Sequence, residues 1–248
     1  MAYHFVAISS HFLGGTRIGW HYASEGRLDT SIIESFFEKC EEKLNNSDFG
    51  VHKLSTDSLT WESVIQKDSF FKDVIIAEDA DAFISCVRED EEISALDIAK
   101  YILAYESMTH LKLQKLIYLI YADYLEEYGI SLFKEPIVAY KYGPVIEEVY
   151  AMYKKFGATK INDLNGPKLK LDKLSFPPVL MKIISYKDSG QLIDSITSTL
   201  NKYSKLSPRE LVDLTHVQGG PWKRVYKPRY NMLIDDATIE KYHKLEGI

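Results

Sequence analysis

Hydrophobic positions alternate in the first part of the chain and then change period. YHFVAIS (3–9) and RIGWHYAS (17–24) read as strands, separated by the turn signal Gly14-Gly15. DTSIIESFFEKCEEKL follows, with Ile32, Ile33, Phe36, Phe37 and Cys40 on one helical face and Asp29 or Thr30 as N-cap. FGVHKLS (49–55) and the β-branched DVIIAED (73–79) predict two further strands, and DADAFISCVRE predicts a short helix.

The regime changes at EDEEISALDIAKYIL. Glu89–Glu92 reads as a charged hinge, Ser94 with Asp97 forms a capping-box pattern, and apolar residues then recur at helical spacing. THLKLQKLIYLIYADYLEEYG predicts the central helix, capped by Thr109 and closed by Gly129, and apolar on most sides. After an extended PIVAYKY, the residues Val145, Val149, Met152 and Phe156 predict a helix that Pro144 starts and Gly157 ends. INDLNGPKLKLDKLSFPPVL reads as a connector with a short hairpin, punctuated by Pro177-Pro178. SGQLIDSITSTLNKYSKL, SPREL (with Ser207 as N-cap and Glu210 completing a capping box) and DDATIEKYHKL predict three more helices. The expected fold class is α+β: a small mixed α/β domain over residues 1–92, then a mainly helical domain over residues 93–248.

Charge sharpens this division. Residues 1–92 hold 8 Lys and Arg against 18 Asp and Glu, while the remainder holds 22 against 18, in a chain of 248 residues with net charge −6. The acidic segment reads first as a solvated face, and second as a surface for a basic partner or a nucleic-acid mimic. Cys40 and Cys86 have no metal or disulfide spacing and sit among apolar residues, which suits buried structural thiols. The N-terminus lacks a signal-peptide pattern. The LIYLIYA run, bounded by Lys115 and Asp123, falls well short of the ~20 residues that cross a bilayer. A cytoplasmic, reducing setting without membrane attachment is the expectation.

Little in the sequence points to catalysis. The seven histidines show no HExxH, HxH or i,i+4 spacing, and no glycine-rich phosphate loop or GxSxG occurs, so neither metal nor cofactor is expected. YKYGPV puts Lys141 and Tyr142 before a helix start that suits an anion, but Pro144 removes a donor and Glu147-Glu148 already supply the negative charge. In LTHVQGGPWKRVY, Trp222 plugs a gap between helices. His216 there satisfies the last carbonyls of a helix, carries a charge favoured at its C-terminus, or acts as a catalytic base. PWKRVYKPRY interleaves Lys223, Arg224, Lys227 and Arg229 with Trp222, Tyr226 and Tyr230. Such interleaving is a nucleic-acid signature, but the domain's +4 balance argues against it, and a protein-contact patch fits as well.

Taken together, LKLQKLIYLIYADYL, LFKEPIVAYKYGPVIEEVY and LSPRELVDLTHVQGGPWKRVY resemble the Panacea domain, the SocA-like, phage-associated family (DUF4065). Leu111–Leu116, Tyr142–Val145, and Thr215, His216, Gly220, Pro221 and Trp222 match its pattern in order, within roughly residues 95–230. The resemblance implies a non-enzymatic antitoxin that binds a protein toxin encoded by an adjacent gene, in some members delivering it to a protease. It leaves residues 1–92 unplaced. Lys141, Tyr142, His216, Trp222 and Arg224 are the candidate partner-binding residues. Two other readings stay open. One is a phage-associated regulator or anti-defence protein binding a host protein or nucleic acid; the other is an enzyme with a pocket near the Gly-Pro turn and His216.

Overall fold

A computed structural model of the chain describes residues 1–12, 14–44, 49–162, 169–171, 174–176 and 178–247. Residues Met1–Glu92 with Pro167–Lys182 form one compact unit, and Ile93–Gly166 with Ile183–Ile248 form another.

The first unit is organised by β1 (Ala2–His11), whose run Phe5, Val6, Ala7, Ile8 is buried on both faces. A strand apolar on both sides belongs in the middle of a covered sheet. It pairs antiparallel with β2 (Thr16–Glu25) and β3 (Gly50–Thr56), while β4 (Val74–Ile76) runs parallel to β2, giving the order β3-β1-β2-β4. Three helices supply the cover: α1 (Thr30–Lys43), α2 (Trp61–Lys67) and α3 (Ala80–Glu91). Phe5 and Ala7 face Phe36 and Cys40 of α1 and Phe83 and Val87 of α3, with Trp20 stacked on Phe36 at 4.2 Å. Val6 and Ile8 face Val64 of α2 and Phe71. Cys40 is buried, which pushes its thiol up to about 11; Cys86 is only half-buried, not buried as expected, and desolvation with the charges of Glu89 and Asp90 raises it as well, disfavouring the thiolate at both.

Asp29 caps α1 by accepting from the Ser31 amide. The strand expected over 73–79 is only three residues long, because Asp79 is committed to capping α3 through the Ala82 amide. Helix α2 has no counterpart in the hydrophobic pattern, since seven residues are too few to establish a 3.6-residue period.

In the second unit the capping box of Ser94 and Asp97 is formed in both directions and opens α4 (Ala95–Tyr105). Helix α5 (His110–Tyr128) starts on Thr109 and ends on Gly129 at φ 68°. Every residue from Leu113 to Ala122 is buried. The neighbours that enclose α5 include α4 and the strand β6 (Gly143–Ile146), α6 (Glu147–Tyr153), α8 (Ser189–Tyr203), α9 (Pro208–Thr215) and α11 (Asp236–Tyr242). Strand β5 (Ile137–Tyr140) lies between β6 and the two-residue β9 (Met232–Leu233), both antiparallel to it. Helices α7 (Pro178–Ser185) and α10 (Pro221–Val225) and the paired strands β7 (Leu169–Leu171) and β8 (Leu174–Phe176) complete the elements. Part of the expected connector, residues 163–168, 172–173 and Pro177, lies outside the described residues. Among the described residues no helix is long and apolar enough to cross a membrane.

The helix expected from Pro144 begins instead at Glu147, and Phe156 falls in a 3-10 turn beyond its end. Gly143–Ile146 is a strand, and the tight turn is Lys141-Tyr142, the two residues between β5 and β6. A proline without an N–H fits an edge strand as readily as a helix start. Side chains from α5 decide between the two.

Candidate functional site

The three stretches LKLQKL, YKYGPV and THVQGGPW converge on the β5–β6 hairpin. Gln114 on α5 meets the backbone of Ile146 in the way a neighbouring strand would. Its Oε1 accepts from the Ile146 amide at 2.9 Å, and its Nε2 donates to the Ile146 carbonyl at 3.1 Å. The next residue, Lys115, donates from Nζ to the Pro144 carbonyl at 2.6 Å. The outer edge of β6 is thereby satisfied by two consecutive side chains, and the extended conformation of Gly143–Ile146 is held against helix formation. From the other side, the Trp222 indole donates from Nε1 to the Tyr140 carbonyl at 2.8 Å.

Gly143 is required where it stands. Its φ is +101°, and a Cβ there would lie 2.7 Å from Lys115 Nζ and 2.9 Å from Thr215 Oγ1. Thr215 in turn donates back to its own helix, 3.1 Å from the carbonyl oxygens of both Leu211 and Val212. His216 lies flat on Trp222, with ring centroids 3.5 Å apart and planes 1° from parallel, and Tyr226 stacks on Trp222 at 4.5 Å. Burial, reinforced by the charges of Lys115 and Lys223, lowers the His216 imidazole to about 4. The ring is therefore neutral, which corrects the expectation of a cation favoured at a helix C-terminus: desolvation and two nearby ammonium groups outweigh the helix dipole.

Lys115 is fully buried, and desolvation lowers its ammonium to about 7, opposed by the charge of Glu246. That carboxylate belongs to a buried chain of polar contacts running along α5. Tyr118 donates to Glu246 Oε2 at 2.7 Å, and His243 Nδ1 lies 2.9 Å from the same oxygen. His243 Nε2 lies 2.8 Å from Asp123 Oδ1, and Thr199 donates to Asp123 Oδ2 at 2.7 Å. Burial pulls the His243 imidazolium down, but its hydrogen bonds to Asp123 and Glu246, with their charges, raise it to about 9. Burial alone favours a protonated Glu246; the hydrogen bonds from His243 and Tyr118 and the Lys115 charge oppose it. Lys115, His243, Glu246 and Asp123 thus share one network, three of them buried and Asp123 partly exposed, and loss of one member leaves a neighbour uncompensated. Sequence reasoning treated Lys115 as a break in an apolar run and passed over Gln114, His243 and Glu246. The available signal was two adjacent polar residues, Gln114-Lys115, on a helix otherwise apolar enough to be buried.

The five candidate residues separate into three groups. Lys141 and Tyr142 form the hairpin tip, where Tyr142 is 57% exposed and Lys141 Nζ lies 5.1 Å from its ring centroid. His216 and Trp222 lie beneath, half-buried and buried, as the support under Tyr140. Arg224 is exposed but engaged by its own chain: Nε donates to the Gly219 carbonyl at 2.8 Å, and the guanidinium covers the Tyr242 ring at 3.5 Å. Beside the tip is a groove of about 650 Å³, walled by Leu111, Tyr140, Val145, Tyr150 and Pro208. Of the aromatics in PWKRVYKPRY, Trp222 is buried and Tyr226 half-buried, leaving Tyr230 exposed for stacking. Among the described residues no group of three or more His, Cys, Asp or Glu side chains is arranged to hold a metal ion.

Two measurements test this arrangement. Gly143→Ala should destabilise the protein by more than Gly129→Ala. Both positions have positive φ, which costs an alanine about 1–2 kcal/mol, but only Gly143 is also crowded by neighbouring atoms, and urea unfolding of the two variants reads the difference. For His243, whose folded value of about 9 lies above its ordinary 6.5, the stabilisation is complete below that ordinary value and is lost as pH rises through about 9. The stability difference between wild type and His243→Gln should therefore shrink over this alkaline interval; a difference independent of pH would contradict the clamp.

Comparison with known proteins agrees with this convergence. The family model described as "Antitoxin SocA-like, Panacea domain" matches residues 113–223. Antitoxin SocA of Caulobacter vibrioides (strain NA1000 / CB15N) is 27% identical over 135 residues, 53% of this chain. The chain spans 63% of that relative's length. No solved structure matches this chain. The matched segment contains Gln114, Lys115, the hairpin and Trp222, so the residues that meet at one place in the fold lie within one recognised unit. Residues 113–223 are thus similar to the Panacea domain of SocA-like antitoxins.

Proposed function

We propose that this protein is an antitoxin that neutralises a protein toxin by direct contact, with residues 93–248 as the toxin-binding domain and residues 1–92 as an acidic accessory domain. The observation that carries the reading is the use made of the family motifs. Gln114, Lys115, Gly143, Thr215 and Trp222 all serve to fix one hairpin, and the residues at its tip, Lys141 and Tyr142, extend into solvent. A rigid support beneath an exposed tyrosine and lysine suits recognition of a protein surface, where pre-organised aromatic anchors contribute most of the affinity.

The same observation counts against catalysis. The titratable groups that come together here are enclosed: Lys115 and Glu246 are fully buried, His243 nearly so, and Thr215 is bonded to its own helix. A general base or nucleophile must reach a substrate, and these side chains reach one another. The adjacent gene is the proposed source of the toxin, and a protease that removes the bound toxin is a second partner consistent with the family.

Expression of the adjacent gene alone should arrest growth, and co-expression of this chain should relieve the arrest and yield a complex of fixed stoichiometry on co-purification. Arrest that persists on co-expression, with no complex recovered, overturns the antitoxin reading.

A further inference from the structure

We propose that the groove beside the hairpin tip is the toxin-docking surface, and that it takes an extended segment presenting a large apolar side chain flanked by carboxylates. This rests on the antitoxin reading and adds the chemistry of what is bound. The groove's floor and walls are carbon-rich: Leu111, Val145 and Pro208, with the rings of Tyr140 and Tyr150. Its volume of about 650 Å³ lies within the range that buries a compact apolar group, and Tyr142 stands at its margin with 57% of its surface still exposed. A tyrosine left open beside such walls offers contact area at small entropic cost on binding.

Charge at the rim selects the flanks of the bound segment. Lys141 Nζ lies 5.1 Å from the Tyr142 centroid, and Lys154 Nζ lies 6.0 Å from the Tyr150 centroid. These two ammonium groups rest over rings, so carboxylates of a partner can reach them without displacing an ion pair. His110, also on the wall, has its pKa lowered by burial, which disfavours a charge there. Glu147, three residues before Tyr150, is occupied in accepting from the Tyr140 hydroxyl at 2.8 Å. An apolar floor with one ammonium on its lining and a second beside the Tyr150 ring is complementary to an apolar residue with acidic neighbours. Lysines with tyrosines also suit single-stranded nucleic acid, but base edges find few polar partners on Leu111, Val145 and Pro208, and the chain as a whole carries a charge of −6.

The experiment uses the full chain and the purified product of the adjacent gene. Binding is measured for wild type, Lys141→Glu/Lys154→Glu, Tyr142→Ala, and the control Lys244→Glu, whose side chain pairs with Glu126 near the far end of α5. Circular dichroism and urea midpoints establish that each variant is folded. The groove reading expects the double reversal and Tyr142→Ala each to weaken binding by about tenfold or more, with the control within about twofold. In an array of overlapping peptides from the same product, wild type should retain those with a large apolar residue beside Asp or Glu, and the double reversal should lose them. If the groove variants bind as tightly as wild type, the groove is not the docking surface and the antitoxin reading stands. If wild type neither binds nor neutralises the product, both fall. A single-stranded oligonucleotide that binds in place of the peptides, and depends on Tyr142, replaces the protein partner with a nucleic acid and overturns the proposal.

Discussion

The second unit depends on a substitution of side chain for strand. Strand β6 has β5 on one side and a helix on the other, and a helix offers no ladder of backbone partners. Gln114 and Lys115 make up the deficit by presenting an amide and an ammonium to Ile146 and Pro144. Leaving either end of a buried peptide group unbonded costs about 1–3 kcal/mol, so these contacts decide whether Gly143–Ile146 is a strand at all. Once it is a strand, the turn is confined to Lys141-Tyr142, and those two side chains have nowhere to go but outward.

Placing an ammonium in a helix core creates a second demand, which the end of the chain answers. Lys115 is enclosed, and its field is met by Glu246, which is itself tied to Tyr118 and His243, with Asp123 beyond. His243 and Glu246 lie outside the segment that matches the family model. The chemistry of the motif lysine is therefore completed by residues that no local motif announces. Hairpin position and C-terminal docking are coupled through one buried charge, and removal of any member leaves another uncompensated.

Most elements of this fold were legible from patterning. Capping boxes at Ser94 and Ser207, the cap at Thr109 and the glycine at 129 mark helix ends because they act locally, through atoms within a few residues. The acidic unit was legible for a similar reason, since β1 and β2 alternate or run apolar as their two covers require. What failed was non-local. Val145 and Val149 share a helical period, yet Val145 lies in a strand whose next residue, Ile146, is bonded to Gln114, more than thirty residues earlier in the chain. Trp222 is buried, but nothing in its local sequence announces that its indole N–H donates to a strand carbonyl. Lys115 was read as a polar interruption, because nothing within several residues of it reveals Pro144 or Glu246. Of the candidate site, Lys141 and Tyr142 were legible as residues beside a turn. The support beneath them became visible only when the three stretches were brought into contact.

Gln114 and Lys115 hold the hairpin that we propose meets the toxin. Amide hydrogen exchange on a Gln114→Ala variant tests it most directly, because the Ile146 amide is bonded to that side chain alone on its outer edge. Faster exchange is expected through residues 137–146, with unchanged protection in β1 and β2 and with toxin neutralisation lost together with hairpin protection. Protection of the hairpin equal to that of wild type would contradict it.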